Sequence, residues 1–444
     1  MQTLHRTLAA AAVVPCKVVV ACFFALAFAS PAVFAASEAE LLRRLEHLEQ
    51  ELSALKSEMK SLKAEASAMP TAAPGATADN AAPASGPDTT VGGYGEINYN
   101  RYRTDTSRSQ ADVRRAVVYL GHRFSDQLSF DSEIEFEHAI TSRNDNGETE
   151  IEQAFLTYQL NDATRLRAGL FLLPFGFLNR THEPSSYYGV ERNDVETRII
   201  PAVWREGGIS FAARTGFGLG YEIGITTGFD VSKFDDPGKP LASVHQELQL
   251  ARAHDTGVYG ALDYRGVPGL TLGGALFTAN TTQGNAAFRA DPAQPDLGGL
   301  GGRLTLWDLH TRFQSGKLDL QGLYARGAIA QAGEINQRIA EFNNTFAQAR
   351  PFLPAAFYGW YGQAAYQVWA RGDVSLTPFV RYERFNTQAS MPPGFAADPL
   401  NDERVLTAGL SFRLQPQVVL KADVQRYQRD STKDRFNVGM GWQF

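Results

Sequence analysis

The segment Asp434-Arg-Phe-Asn-Val-Gly-Met-Gly-Trp-Gln-Phe444 carries the clearest indication of how this chain folds. Its residues alternate in character with a period of two, which is the period of a β-strand. One face is apolar and aromatic, and it consists of Phe436, Val438, Met440, Trp442 and Phe444. The other face consists of Arg435, Asn437, Gly439, Gly441 and Gln443. A strand with an apolar face that ends in aromatic residues is typical of an outer-membrane barrel, because that face meets lipid and the aromatic girdles.

Earlier segments repeat this pattern, and sixteen period-2 runs can be marked from Val91 onward. The clearest run is 128–137, with Leu, Phe and Ile on one face and a row of Asp and Glu on the other. Short and long connections alternate between the runs, as expected for short periplasmic turns and long outer loops. The sequence therefore predicts an all-β transmembrane barrel of about 16 antiparallel strands over residues 91–444. A soluble β-sandwich or propeller is the alternative, but no repeat of blade length is visible.

Three segments precede the predicted barrel. Residues 1–35 resemble a secretory signal peptide, because positive charges precede an apolar run that is too short to span a bilayer as a helix. Both cysteines of the chain, Cys16 and Cys22, lie in this segment, so we expect neither a disulfide nor a cysteine metal site in the mature chain. Residues 36–65 carry heptads, and residues 66–90 form a linker rich in Ala and Pro.

The heptads predict a short α-helical coiled coil in the periplasm. Apolar residues follow one another at spacings of four and three, at Leu41, Leu45, Leu48, Leu52, Leu55, Met59 and Leu62. The flanking charges pair with opposite sign between neighbouring heptads, which favours parallel association of identical chains. A lone amphipathic helix that packs on its own protein is the alternative, and the pattern does not separate a dimer from a trimer.

Composition and motifs exclude several classes of function. The formal net charge is −6, so bulk charge does not indicate nucleic-acid binding. The eight histidines show no H-E-x-x-H spacing, and His182, Glu183 and Ser185 share a loop without forming a recognisable triad. Loop acids such as Asp235 and Asp236 lack the spacing of calcium ligands. We therefore predict no enzymatic activity, no cofactor and no metal site.

About sixteen strands enclose an aqueous channel. The solutes that pass through it therefore depend on the residues that narrow the lumen. The third outer connection, 174–204, is long and highly charged, so we expect it to fold inward and form a constriction. A solvated surface loop is the alternative. The candidate pore residues are Arg115, Arg167, Arg180, Arg192, Arg198, Arg205, Arg381, Arg413, Asp131, Glu133 and Glu135. Each arginine could bind anions through its guanidinium or simply pair with a lumen carboxylate.

Three motifs resemble the phosphate-selective porin O/P family. They are Val113-Arg-Arg-Ala-Val-Val-Tyr-Leu-Gly-His-Arg-Phe, Glu152-Gln-Ala-Phe-Leu-Thr-Tyr and Leu166-Arg-Ala-Gly-Leu-Phe-Leu-Leu-Pro-Phe-Gly. The resemblance implies a sixteen-stranded homotrimer in the bacterial outer membrane, with phosphate bound by arginines and a lysine cluster. Phe444 likewise resembles the signal that the barrel-assembly machinery reads. The family's lysine cluster is not evident here, because no two of the barrel-region lysines (Lys233, Lys239, Lys317, Lys421 and Lys433) are neighbours.

The sequence thus predicts an outer-membrane porin for passive diffusion of small hydrophilic solutes, and leaves a preference for anions such as phosphate open. An oligosaccharide-conducting porin is one alternative, and its sugar-stacking candidates are Phe171, Tyr187, Tyr188, Phe379 and Tyr427. An envelope tether, in which the coiled coil is the main functional element, is the other.

Overall fold

A computed structural model describes Gln50, Ser53 and residues 88–444. Gln50 and Ser53 are helical. The predicted signal peptide, the leucine positions of the predicted coiled coil and nearly all of the predicted linker lie outside the described residues.

Residues 88–444 are mostly β-strand. The strands are β1 Thr89–Tyr102, β2 Gln110–Arg123, β3 Leu128–Glu137, β4 Thr149–Asn161, β5 Thr164–Leu172, β6 Arg205–Arg214, β7 Leu219–Thr226, β8 Gly257–Tyr264, β9 Leu270–Ala279, β10 Leu304–Ser315, β11 Leu318–Ile329, β12 Ala356–Tyr366, β13 Trp369–Arg371, β14 Val374–Ser390, β15 Asp402–Gln415, β16 Val418–Tyr427 and β17 Arg435–Gln443.

Each barrel strand pairs antiparallel with the next, and β17 pairs with β1 to close the sheet. Strands β12 and β13 both pair with β14, so they form one barrel strand with a short interruption. The barrel therefore has sixteen strands, which confirms the predicted antiparallel barrel. Closure is direct, because the Phe444 amide donates to the Gly93 carbonyl at 2.9 Å and the Gly93 amide donates back at 3.0 Å.

The two faces of the barrel follow the period-2 pattern of the sequence. On β17, Phe436, Val438 and Met440 are exposed on the outer face, whereas Asn437 is fully buried on the lumen side. On β3, Ile134 and Phe136 are likewise exposed. The outer face thus presents apolar side chains where lipid replaces water, and the polar side chains turn into the barrel.

The connections alternate in length as predicted, and three of the long ones contain helices. These are α1 Asp194–Arg198, α2 Ala286–Ala290 and α3 Ala332–Phe346. All three lie in segments that were predicted as loops. Helix α3 has a visible helical spacing, because Ile335, Ile339 and Phe342 form its buried face. Within residues 88–444, no helix is long and apolar enough to cross a membrane.

An apolar core lies inside the barrel, where the long connections pack against the inner wall. Trp204 is its largest fully buried side chain, and its ring lies 4.8 Å from that of Phe175, 5.3 Å from Phe229 and 5.0 Å from Phe277. Phe277 belongs to strand β9, whereas the other three residues lie outside the strands. The connections are therefore held in the lumen by hydrophobic burial as well as by polar contacts.

Candidate functional site

The connection between β5 and β6, residues 173–204, folds into the barrel and is called here the lumen loop. Asn179 ties its two ends together. The Asn179 side-chain amide donates to the carbonyls of Leu173 and Trp204, at 2.8 Å each, and its oxygen accepts from the Trp204 amide at 2.5 Å. Since all three residues are buried, loss of these bonds would leave unsatisfied polar atoms. The base of the lumen loop is therefore fixed.

Glu196 organises the middle of the lumen loop. Its carboxylate accepts from the amides of Phe177 and Leu178, at 2.7 Å each, and from the Tyr361 hydroxyl at 2.8 Å. Asn193 caps helix α1 by accepting from the Glu196 amide. The carboxylate thus joins the two arms of the loop to strand β12, although it is fully buried. Charge-assisted hydrogen bonds of this kind compensate the burial of an acid.

The tip of the lumen loop reaches the opposite wall. The Tyr187 hydroxyl donates to Glu96 on β1 at 2.8 Å. The Val190 amide donates to Asp423 on β16 at 2.6 Å, and the Lys421 ammonium donates to the Gly189 carbonyl at 2.9 Å. The loop therefore crosses the lumen from the β5–β6 side to the β16–β1 side.

Most of the candidate arginines are paired with acids. Arg115 on β2 contacts both Glu96 and Glu135, at 2.9 and 3.0 Å. The remaining pairs are Arg180–Glu222 at 2.6 Å, Arg198–Asp194 at 2.6 Å, Arg381–Glu383 at 2.7 Å, and Arg205 with Glu150 and with Glu247, the latter at 3.1 Å. Burial raises the pKa of Asp194, but the charge and hydrogen bond of Arg198 outweigh burial, so the pKa lies below its usual value.

The other candidate cations have carbonyl or aromatic partners. Arg192 donates to the His182 carbonyl at 3.2 Å, and Arg413 donates to the Ser185 carbonyl at 3.0 Å. Arg167 lies over the Phe155 ring, with the guanidinium carbon 4.5 Å from its centroid. The structure thus places the candidate cations in or beside the lumen, but it gives them protein partners.

Acidic residues form the other half of the lumen wall. On β3, Asp131 accepts from the Tyr119 hydroxyl, Glu133 accepts from Gln153 at 2.7 Å, and Glu135 contacts Arg115. Over residues 88–444, buried carboxylates outnumber the buried arginines and lysines, which are Arg115, Arg167, Arg205, Arg381 and Lys421. The inner wall of the barrel therefore carries acidic as well as basic side chains.

The aromatic residues proposed for sugar stacking are also engaged. Phe171 is fully buried in the apolar core, and the hydroxyls of Tyr188 and Tyr427 donate to Asp319 and Asp194, at 2.9 and 2.7 Å. Tyr188 and Phe379 stack on each other, with 5.9 Å between ring centroids. Ser185, which shares the lumen loop with His182, donates its hydroxyl proton to Gln443 at 2.8 Å.

Apart from Glu135, the acidic partners of the arginines were not among the residues predicted from the sequence. Glu96, Glu222, Glu383 and Asp423 were not among the candidates, although all four are buried in the lumen. Strand parity could have placed Glu96 there, because it alternates with Val91, Ile97 and Tyr99 on the outer face of β1. Parity could not have paired it with Arg115, because the pairing depends on the register of two strands and on a bulge between Glu96 and Ile97.

Residues 91–234 match the family described as phosphate-selective porin O and P. This segment covers β1 to β7, the lumen loop and most of the charged groups that line the lumen. Over this segment the chain is similar to that family. An uncharacterized protein of Aquifex aeolicus (strain VF5) is 28% identical over 360 residues, which make up 80% of this chain and 79% of that protein.

Solved structures share the fold of this chain. OmpF of Salmonella typhi, in a complex with daunomycin, superposes with a TM-score of 0.54 at 14% identity, over 80% of this chain and 97% of that one. An anion-selective porin from Comamonas acidovorans superposes with a TM-score of 0.50 at 13% identity, over 80% of this chain and 99% of that one. At these identities the likeness shows the fold alone, which is a closed antiparallel β-barrel.

Proposed function

We propose that this porin carries small hydrophilic solutes across the outer membrane by passive diffusion, with little selectivity between anions and cations. The observation that supports this proposal is the lumen loop, which crosses the channel and whose arginines are bonded to carboxylates or carbonyls. Diffusion through such a constriction needs neither a catalytic group nor a cofactor.

Charge pairing is the physical reason for the weak selectivity. A guanidinium beside a carboxylate presents little net field to an ion in water at some distance, because the two Coulomb terms nearly cancel. The Arg115 cluster even has two carboxylates for one guanidinium. Because this cluster has one more carboxylate than guanidinium, any residual preference that it exerts favours cations.

The test is the zero-current potential of the purified porin in a planar bilayer under a KCl gradient, followed by addition of phosphate. We expect a potential near zero or on the cation-selective side, and no block of chloride current by phosphate. Strong anion selectivity would contradict the proposal. A membrane that shows no channels at all with folded porin would also contradict it.

A preference for anions such as phosphate is the second candidate, and one observation favours it: the matching family is described as phosphate-selective. Arg413 and Lys421 line the same region of the lumen, where each bonds a carbonyl rather than a carboxylate. The same recording separates the candidates, because chloride current blocked by low phosphate supports this one and an unblocked current rejects it.

We also infer a homo-oligomer, expected to be a trimer, in which residues 36–65 associate as a coiled coil in the periplasm. Asp88 lies beside the short turn between β2 and β3, since its carbonyl accepts from the Arg123 amide at 2.6 Å. Asp88, the first described residue of the barrel, therefore lies at the short-turn end, which is periplasmic in such barrels. Light scattering on detergent-solubilised porin, with and without residues 37–90, tests this assembly. A monomer in both cases would reject it.

A further inference from the structure

Three potential metal ligands meet where the lumen loop leaves the barrel wall. Glu133 lies on β3, Glu152 on β4 and His182 in the lumen loop. One ligand atom from each lies within 4.8 Å of the other two. Glu152 is fully buried and His182 is 3% exposed, so water is largely excluded from the two.

The buried atoms of this cluster lack hydrogen-bond partners. Both carboxylate oxygens of Glu152 and the Nε2 atom of His182 have none, although Nε2 lies 3.3 Å from one of those oxygens. Buried polar atoms are nearly always satisfied, because an unsatisfied one costs free energy. Three unsatisfied ligand atoms in one cluster therefore indicate a missing partner there.

Neighbouring groups orient the cluster as the surroundings of metal sites usually do. The Nδ1 atom of His182 lies 3.2 Å from the Asn179 carbonyl, which fits a tautomer with the proton on Nδ1 and a lone pair on Nε2. Gln153 donates to Glu133 at 2.7 Å and fixes that carboxylate. The ring of Tyr94 contacts the His182 ring edge-on, with centroids 5.8 Å apart.

The spacing suits a tetrahedral ion. Zinc binds nitrogen and oxygen ligands at about 2.0–2.2 Å, so two of its ligands lie roughly 3.4 Å apart. The separation of 3.3 Å between Glu152 and His182 already matches this value. Glu133 is partly exposed, so its carboxylate has room to approach further.

We propose that Glu133, Glu152 and His182 bind one divalent transition-metal ion of the zinc class, with a water or a further oxygen in the fourth position. One imidazole with carboxylates and no thiolate is a ligand set that such ions accept. The ion would fasten the lumen loop to β3 and β4. This proposal departs from the expectation of no metal site, which was drawn from motif spacing alone.

An ion pair between His182 and Glu152 is the competing explanation for the cluster. Burial lowers the pKa of His182, but the negative charge of Glu152 outweighs burial, so the pKa rises to about 9. In this alternative a proton on Nε2 of His182 bonds a carboxylate oxygen of Glu152, and no metal is bound. The two explanations differ in the metal content of the folded porin.

The test uses the full chain, stripped with a chelator, titrated with zinc chloride and assayed for bound zinc by calorimetry and elemental analysis. We expect about one zinc per chain, and binding at least roughly 10-fold to 100-fold weaker in the Glu152→Gln and His182→Gln variants. His310→Gln is the matched control, since His310 is also beside a buried carboxylate, 2.6 Å from Asp308. This control should bind zinc as the unmodified porin does.

Equal binding by Glu152→Gln and the unmodified porin would overturn the proposal, as would no stoichiometric binding by the latter. If the variants do not fold, X-ray absorption spectroscopy at the zinc edge of the unmodified porin identifies the ligands of the bound zinc. One imidazole with oxygen ligands supports the site, whereas several imidazoles or oxygens alone reject it. Ion selectivity is measured separately, so the proposed function and the metal site can fail independently.

Discussion

Replacing Glu96 by Gln tests whether the paired charges set the ion preference. Glu96 and Glu135 share Arg115, so the cluster carries one net negative charge. The substitution Glu96→Gln removes that charge with almost no change of shape. Arg115 keeps Glu135 as a partner, and the amide oxygen of the new side chain can still accept from Tyr187. We therefore expect the variant to fold.

The expected effect follows from Coulomb's law. A unit charge acts on an ion at about 6 Å in water with roughly 0.7 kcal/mol, and it acts on K⁺ and Cl⁻ with opposite sign. The permeability ratio then changes by up to about 1.4 kcal/mol, or roughly tenfold, and screening at about 0.1 M salt reduces this to roughly threefold to fourfold. We predict a shift of this size toward anions.

The assay is the zero-current potential of single folded channels in a KCl gradient, recorded for the unmodified porin and the variant at the same salt. Glu341→Gln is the control, because Glu341 lies on helix α3 with its side chain 69% exposed, and it should leave the potential unchanged. If Glu96→Gln conducts but its permeability ratio equals that of the unmodified porin, Glu96 does not face the ion path and the reasoning is wrong.

Three further predictions concern the packing and closure of the barrel. Trp204→Ala should destabilise the packed lumen loop by about 3–5 kcal/mol and give noisier single-channel currents, because this side chain is fully buried among aromatic rings. Asn179→Ala should expose the lumen loop to added protease, since the carbonyls of Leu173 and Trp204 each lose a donor at a cost of about 1–3 kcal/mol; intact loops after digestion would count against this. Phe444→Ala should slow the appearance of the heat-modifiable folded band in gels, and an unchanged rate would argue that Phe444 is not read during assembly.

The barrel itself could be predicted from the sequence because one physical rule governs each strand. Lipid on one side and water or polar groups on the other impose a period of two, which is visible in 128–137 and again in 434–444. The alternating short and long connections then indicated the orientation of the strands. Helix α3 was not predicted, because a search for period two does not detect the helical spacing of Ile335, Ile339 and Phe342.

The site was only partly predictable, for a different reason. Strand parity predicts which face of the barrel a residue such as Arg381 lies on, but it does not predict its partner. Arg381 pairs with Glu383, which lies on the same strand. Contacts between the lumen loop and the far wall, such as Val190 with Asp423, join residues separated by more than half of the chain. No local sequence pattern predicts these long-range contacts, because they form only when the barrel closes and brings distant strands together.

The seam between β1 and β17 has a consequence for how the molecule is made. Tyr94 pairs with Gln443, so ring closure waits until nearly the whole chain has been synthesised and exported. Until then the unclosed sheet has two unpaired edge strands and an apolar outer face that is exposed to water, and both promote aggregation. Chaperones must therefore protect the polypeptide in the periplasm while the barrel is still open. Substitutions at the seam should accordingly impair assembly of the barrel more than the stability of the finished barrel.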